Sequence, residues 1–438
     1  MKQFTLHDQK SFFRLSGRKS CTIEPSLLVV GVRGGFLLLL FLLPILISAQ
    51  EPLNSYLETA ANNSPALRAK FNGYMASLEK VPQVGTLPDP QLVFGYFAMP
   101  VETKNGPQRF NVSFTQLFPW FGTLGSREDV FVSAAKSNYE AFEEAKSKLF
   151  FDVRSNYYDL YFINKGIDIT LENIRILNSF KRLALIKVEA GKASGVDELR
   201  AEMELYDLEN SLALLKDRKQ AVTVKFNNLL NVDNNSSVEI PETLWIDDLI
   251  LSRQAILDTL TVKNHQIKSL DYLYQSYRDK EILAKKTGTP NIILGADYIN
   301  IGKVDGVENS GKDALLFKVG ITLPFYRKKY SGLVNEALYL QQTVQNQKDD
   351  KINVLETLFE KVYSEYADAD RRNTLFNIQG DLASKAIRIL ESEYSSNGKN
   401  FEEILRMERN LLKYSLELEK ARSDKQAAIA FIDYLMGK

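Results

Sequence analysis

The chain has 438 residues with 55 basic and 55 acidic side chains, a balance that leaves no excess of positive charge for a nucleic acid. A single cysteine excludes a disulfide scaffold, and a hydrophobic share of 45% is ample for a large core.

The first segment reads as a targeting signal. Basic residues lead into the apolar run 36–47, and Ser48, Ala49 and Gln50 follow it. Twelve apolar residues are too few to span a bilayer comfortably, and a small-residue site comes next, so residues 1–49 are expected to be a cleaved signal peptide. Cleavage after Ala49 leaves 49 basic and 53 acidic residues, a net charge of −4, and removes Cys21. That cysteine precedes the apolar run, where a lipid-attachment cysteine does not sit. The exported chain is therefore expected to be disulfide-free and unlipidated.

Beyond residue 50 the chain says nearly the same thing twice. "FNVSFTQLFPW" (110–120) pairs with "FKVGITLPF" (317–325), Tyr158 and Tyr161 pair with Tyr363 and Tyr366, and "DRKQA" (217–221) pairs with "SDKQA" (423–427). A repeat at this distance is the organising fact. The predicted first repeat is 50–231, with a helix, a β-hairpin at 91–117 and a long helical hairpin at 124–231. A linker at 232–250 leads to the second repeat, 251–438, with a helix, a hairpin at 291–323 and a helical hairpin at 327–437.

Four segments alternate with period two: 91–99, 108–117, 291–301 and 314–323. Phe110, Val112 and Phe114 share one face against Asn111, Ser113 and Thr115; Phe317, Val319 and Ile321 oppose Lys318, Gly320 and Thr322. Each run has the length a tilted strand needs to cross a bilayer, so the apolar sets are predicted to face lipid. The polar stretches 100–108 and 302–313 read as hairpin loops. At the strand exits, Phe118, Trp120, Phe121, Phe325 and Tyr326 are placed for an interfacial aromatic girdle. Pro119 and Pro324 end the ladders, and "YRKK" (326–329) puts cations where the chain meets headgroups and water. Four strands cannot close a barrel, so membrane insertion makes oligomerisation obligatory.

From Leu124 to Ala190 there is no proline and only two glycines. Apolar residues there keep an approximate 4-3 spacing: Val153, Tyr157, Leu160, Ile167, Leu171, Ile174, Leu185 and Val188. The second copy repeats it with Leu355, Phe359, Val362, Tyr366, Phe376, Ile387, Leu390 and Tyr394. Such a pattern predicts helices packed lengthwise on helices, coiled-coil fashion. The fold class is thus mainly α with a small β part, long coiled-coil-like helices beside strands that protomers share in one transmembrane β-barrel.

At this point the chain resembles the TolC family of outer-membrane efflux proteins over essentially everything after residue 50. The resemblance rests on the duplicated plan, on "VEAGKASGVDELRAEMEL" (188–205) and on "FTQLFPWFGTL" (114–124), which is similar to the strand exit of the heavy-metal efflux branch. It implies an outer-membrane exit duct of a Gram-negative tripartite pump, with a long periplasmic extension in which the helices form a long helical barrel. The implied partners are two further copies of the chain in a homotrimer, outer-membrane lipid, a periplasmic adaptor (a membrane fusion protein) and an inner-membrane pump. A type I secretion duct and a poreless periplasmic structural coiled coil are the alternatives.

Two short turns are the candidate adaptor-docking surface: Gly191, Lys192, Ser194, Gly195, Asp197 and Leu199 in the first, and Gly398, Lys399 and Asn400 in the second. Glu189, Glu391 and Glu393 lie close by and are candidates for an acidic ring at the entrance. No catalytic residue, cofactor or metal ligand is expected. After cleavage the only histidine is His265, with no acid-base partner adjacent in sequence, and it is predicted to be an ordinary helix-surface residue.

Overall fold

The structure, a computed structural model, describes residues 51–244, 247–397 and 400–438. The expected signal peptide and the turn residues Gly398 and Lys399 lie outside the described residues. The first half runs α1 (Glu51–Asn63), α2 (Pro65–Leu78), α3 (Lys80–Gly85), β1 (Gln91–Thr103), β2 (Gly106–Phe118), α4 (Thr123–Glu189) and α5 (Gly195–Leu230). The second runs α6 (Arg253–Lys263), α7 (His265–Thr287), β3 (Ile292–Ile301), β4 (Ala314–Ile321), α8 (Arg327–Asn397) and α9 (Phe401–Leu435). The 67 residues of α4 make a helix about 100 Å long, and α8 is longer still with 71. Among the described residues, no helix is apolar enough to cross a membrane.

The chain divides into two compact units, each drawing segments from both halves. The first holds residues 148–249 and 362–431 together with α1. One of its cores joins Leu53 and Leu57 of α1, Val153, Tyr157, Leu160 and Tyr161 of α4, and Phe226 and Leu230 of α5. Tyr56 meets the ring of Phe226 edge-on at 5.2 Å. The segment after α5 is pinned by Lys425 of α9. Its ammonium group is buried and bonds both Asp248 and, at 2.8 Å, Asp370. A second core gathers Leu177, Phe180 and Ala184 of α4, Ala201, Leu205 and Leu208 of α5, Tyr394 of α8, and Phe401, Ile404 and Leu405 of α9.

The second unit contains the sheet, strand order β1-β2-β3-β4, with every neighbouring pair antiparallel. Its first hairpin differs from the expected one. Residues 100–103 and 106–108, read from sequence as loop, continue the strands, and only Lys104 and Asn105 turn the chain. Pro100 is accommodated by a register shift between Tyr96 and Val101, and Gly106 takes a φ of 122° to close the turn. The fourth strand stops at Ile321, two residues short of the expected end. There the Thr322 hydroxyl accepts the Asn291 N–H, and Pro324 offers no donor to resume the ladder.

His265 corrects another expectation. It opens α7, and its Nδ1 lies 2.6 Å from Glu140 Oε2 of α4, both side chains largely buried. The neighbouring Glu144 accepts from Gln266 at 2.9 Å and from Tyr434 at 2.8 Å, tying α7 and the end of α9 to α4. The partner is 125 residues away in sequence, so adjacency could not reveal it.

Phe226 is fully buried in the first core. Phe226→Ala is expected to cost roughly 3–5 kcal/mol, read from the urea midpoint of the helical signal. Phe121→Ala, at a position 80% exposed, is expected to leave that midpoint unchanged.

Candidate functional site

Two features stand out, the sheet and the paired helical turns. The sheet register aligns Phe94, Val112 and Tyr298 across three strands, and Leu294 with Val319 on the next pair. One face is therefore built from Leu92, Phe94 and Tyr96, from Phe110, Val112 and Phe114, from Leu294 and Tyr298, and from Leu315, Phe317, Val319 and Ile321. Phe317 and Val319 are 75% and 80% exposed, an arrangement that costs solvation free energy in water. The Phe110 ring packs 5.8 Å from Phe94 and 6.3 Å from Tyr298. On the opposite face Lys318 Nζ lies 2.7 Å from Asp297 Oδ1, which also accepts from the Ser113 hydroxyl. Among the described residues, no strand pairs with the outer edge of β1 or of β4, so both edges are free.

Of the expected girdle residues, Trp120, Phe121, Phe325 and Tyr326 are exposed and Phe118 is half-buried at the end of β2. All follow or end a strand at the same side of the sheet.

The first turn is built by its caps. Gly191 adopts a φ of 66°, its N–H donates to Val188 O at 2.9 Å, and Lys192 N–H donates to Lys187 O at 2.8 Å. This Schellman arrangement ends α4. Ser194 then caps α5 by accepting from Val196 N–H at 3.3 Å. Gly191, Lys192, Ser194, Gly195 and Leu199 are exposed, whereas Asp197 is half-buried. Burial pushes the Asp197 carboxyl above its ordinary range, against the opposing pull of Arg200. In the second turn Asn400 takes a φ of 72° and donates to Glu393 at 3.1 Å.

The two turns touch one another. Lys187 donates to Ser395 O at 2.6 Å, Arg200 lies 3.3 Å from Glu402, and Arg409 lies 2.7 Å from Glu204. Glu189 and Glu393 are exposed and Glu391 is half-buried. Sequence reading missed two elements here. Val196, Met203 and Tyr206 join the expected Leu199 in an exposed apolar stripe on α5, offset from the buried stripe of Ala201, Leu205 and Leu208. Glu408 of α9 is 4% exposed, and its Oε2 has no hydrogen-bond partner among the described residues. Its signal was a carboxylate on the stripe Phe401, Leu405, Leu412.

The chain has counterparts of this geometry among known proteins. It superposes on the open state of the Neisseria gonorrhoeae MtrE outer membrane channel with a TM-score of 0.73 and 14% identity, covering 88% of this chain and 89% of that one. Vibrio cholerae VceC gives a TM-score of 0.71 and 15% identity over 89% and 98% of the two chains, and Campylobacter jejuni CmeC gives 0.70 and 13% over 95% of each. The chain has the fold of these outer-membrane channels. The resemblance to the TolC family therefore holds at the level of the fold. Among curated proteins it is 24% identical over 275 residues to toxin and drug export protein A of Aggregatibacter actinomycetemcomitans, a match over 60% of this chain that spans 58% of that relative. No family model matches the sequence.

The buried Glu408 gives a testable consequence. Desolvation, with a smaller contribution from Glu391, pushes its carboxyl up to about 7. Its folded-state value thus exceeds the ordinary carboxylate value of 4.5, so the folded chain keeps a proton that the unfolded chain releases. The contribution of Glu408 to the stability of the turn region is fully present below pH 4.5, is lost as pH rises through about 7, and changes little above that. Hydrogen exchange at the α8–α9 turn should accelerate between pH 5 and 8 after correction for intrinsic rates, and Glu408→Gln should remove that acceleration. An unchanged profile in the Gln chain contradicts the assignment.

Proposed function

We propose that copies of this chain close a shared β-barrel in an outer membrane and form the passive exit duct of a tripartite efflux pump. The observation that carries this reading is the apolar, exposed face of a sheet whose two edge strands are free. In hydrocarbon each unpaired backbone group costs several kcal/mol, so the edges must meet edges of other copies. Two copies reach eight strands, a barrel whose interior side chains fill; three reach twelve and leave a lumen. The family resemblance also favours a homotrimer. The apolar face argues against a poreless periplasmic coiled coil, which has no use for it. Energy comes from the pump, and no catalytic chemistry is assigned to this chain.

On this reading Phe110, Val112, Phe114, Phe317, Val319 and Ile321 face lipid, and Ser113, Asp297, Lys318 and Gly320 line the lumen. The turns at Gly191–Asp197 and at Gly398, Lys399 and Asn400 meet the periplasmic adaptor, supported by their small residues and by the apolar stripe beside the first. Glu189, Glu391 and Glu393 are the candidates for an acidic entrance ring. The relative named for toxin and drug export supports a second reading, a duct serving protein secretion as well as small molecules.

Arg at Val112 or Val319 should cost roughly 2–4 kcal/mol near the bilayer midplane and impair assembly. Arg at Ser113 or Gly320 should be tolerated; at Gly320 a new Cβ meets Ile293 only at ordinary contact distance. The readout is the yield of heat-labile oligomer in outer-membrane fractions, and equal tolerance on both faces would sink the assignment.

The turns are tested separately. Ser194→Arg and Gly191→Lys should abolish efflux, measured as substrate accumulation in whole cells, while the oligomer persists. Normal pumping, or loss of oligomer together with transport, makes the turn a purely structural hairpin.

A further inference from the structure

The register places the start of β1, the end of β2, the start of β3 and the end of β4 at one side of the sheet. The chain enters helix from there through two aromatic exits. After β4, Leu323, Phe325 and Tyr326 are 55%, 78% and 84% exposed; after β2, Phe121 is 80% exposed. Immediately beyond Tyr326 stand Arg327, Lys328 and Lys329, all exposed in the first turn of α8. That turn carries no acidic residue. Among the described residues none of the three cations forms an ion pair, and Lys329 meets only the Tyr330 ring at 5.7 Å. At the other exit Lys286 of α7 donates to Gly122 O at 3.0 Å and Ser126 Oγ at 2.8 Å, adding a fourth positive charge.

Three adjacent cations repel one another, and at a helix N-terminus they also oppose the positive end of the helix dipole. Among the described residues no acidic side chain pairs with them to repay this. The far side of the sheet carries no such excess, since its 302–313 loop mixes Lys303 and Lys312 with Asp305, Glu308 and Asp313. Cations packed directly behind exposed aromatics, on one side only of an apolar sheet, match a membrane boundary where rings rest at headgroup depth and phosphates lie just outside.

We propose that Arg327, Lys328 and Lys329, with Lys286, bind the phosphates of anionic phospholipid headgroups in the leaflet nearer the helices, and that this contact stabilises the assembled oligomer. The proposal rests on the outer-membrane reading. Its test uses the full chain, purified as an oligomer in a neutral detergent and titrated with phosphatidylglycerol or with phosphatidylcholine. The readout is the temperature at which the oligomer falls apart. Phosphatidylglycerol should raise it by several degrees and phosphatidylcholine should not. In the triple variant Arg327→Gln, Lys328→Gln, Lys329→Gln the response should vanish, with the dissociation temperature in detergent alone unchanged. Lys328→Arg with Lys329→Arg should keep the response.

A response that survives the triple variant, equal responses to both lipids, or an equal effect of inorganic phosphate overturns the proposal. A triple variant already weakened in detergent alone also overturns it, because the cations then pair with carboxylates of a neighbouring copy. Should the triple variant yield no oligomer, Lys328→Gln alone must show a reduced response for the proposal to stand. Failure of the underlying reading looks different: the wild-type chain then forms no oligomer and enters vesicles of neither composition.

Discussion

The free edges of β1 and β4 are the constraint on which the rest depends. A four-stranded antiparallel sheet with one apolar face can shelter that face against helices, against another sheet, or in lipid. Here Phe317, Val319 and Ile321 remain largely uncovered, and the opposite face is organised around the polar Ser113–Asp297–Lys318 contact. Lipid outside and water inside satisfy both faces at once, provided the edges find partners. On the proposed reading, the same requirement makes association of copies a condition of folding in the membrane.

The helices answer a different demand. α4 and α8 are far longer than the packing of a small core requires, and their ends are finished with care. The Schellman closure at Gly191, the Ser194 cap and the ion pairs of Arg200 and Arg409 hold two short turns side by side. Against that background the burial of Glu408 without a full set of partners is an exception, and it makes this region sensitive to proton concentration in a way the Phe226 core is not.

Much of the fold was legible because its periods are clean. Alternation marked Phe110, Val112 and Phe114, and absence of prolines marked α4. Local rules failed where distant partners override them. Pro100 read as a strand end, yet a register shift carries the strand past it. His265 read as a surface residue, yet Glu140 reaches it from another helix. The 4-3 spacing found Val153, Tyr157 and Leu160 but drifted further along α4. There Leu171 and Leu185 are exposed at 36% and 40%, while Leu177, Phe180 and Ala184 form the core. The turn residues, Leu199 among them, were legible beside their glycines, whereas the continuation of its stripe through Met203 and Tyr206 was hidden beside a second, buried stripe of the same helix.

The central claim is that one chain supplies a fraction of a barrel and cannot stand alone in a membrane. Native mass spectrometry of the complex released from outer membranes in mild detergent tests it most directly. The account predicts a single species of three copies that dissociates to one-chain mass on heating. A folded, membrane-inserted single chain with protease-resistant strands would contradict it.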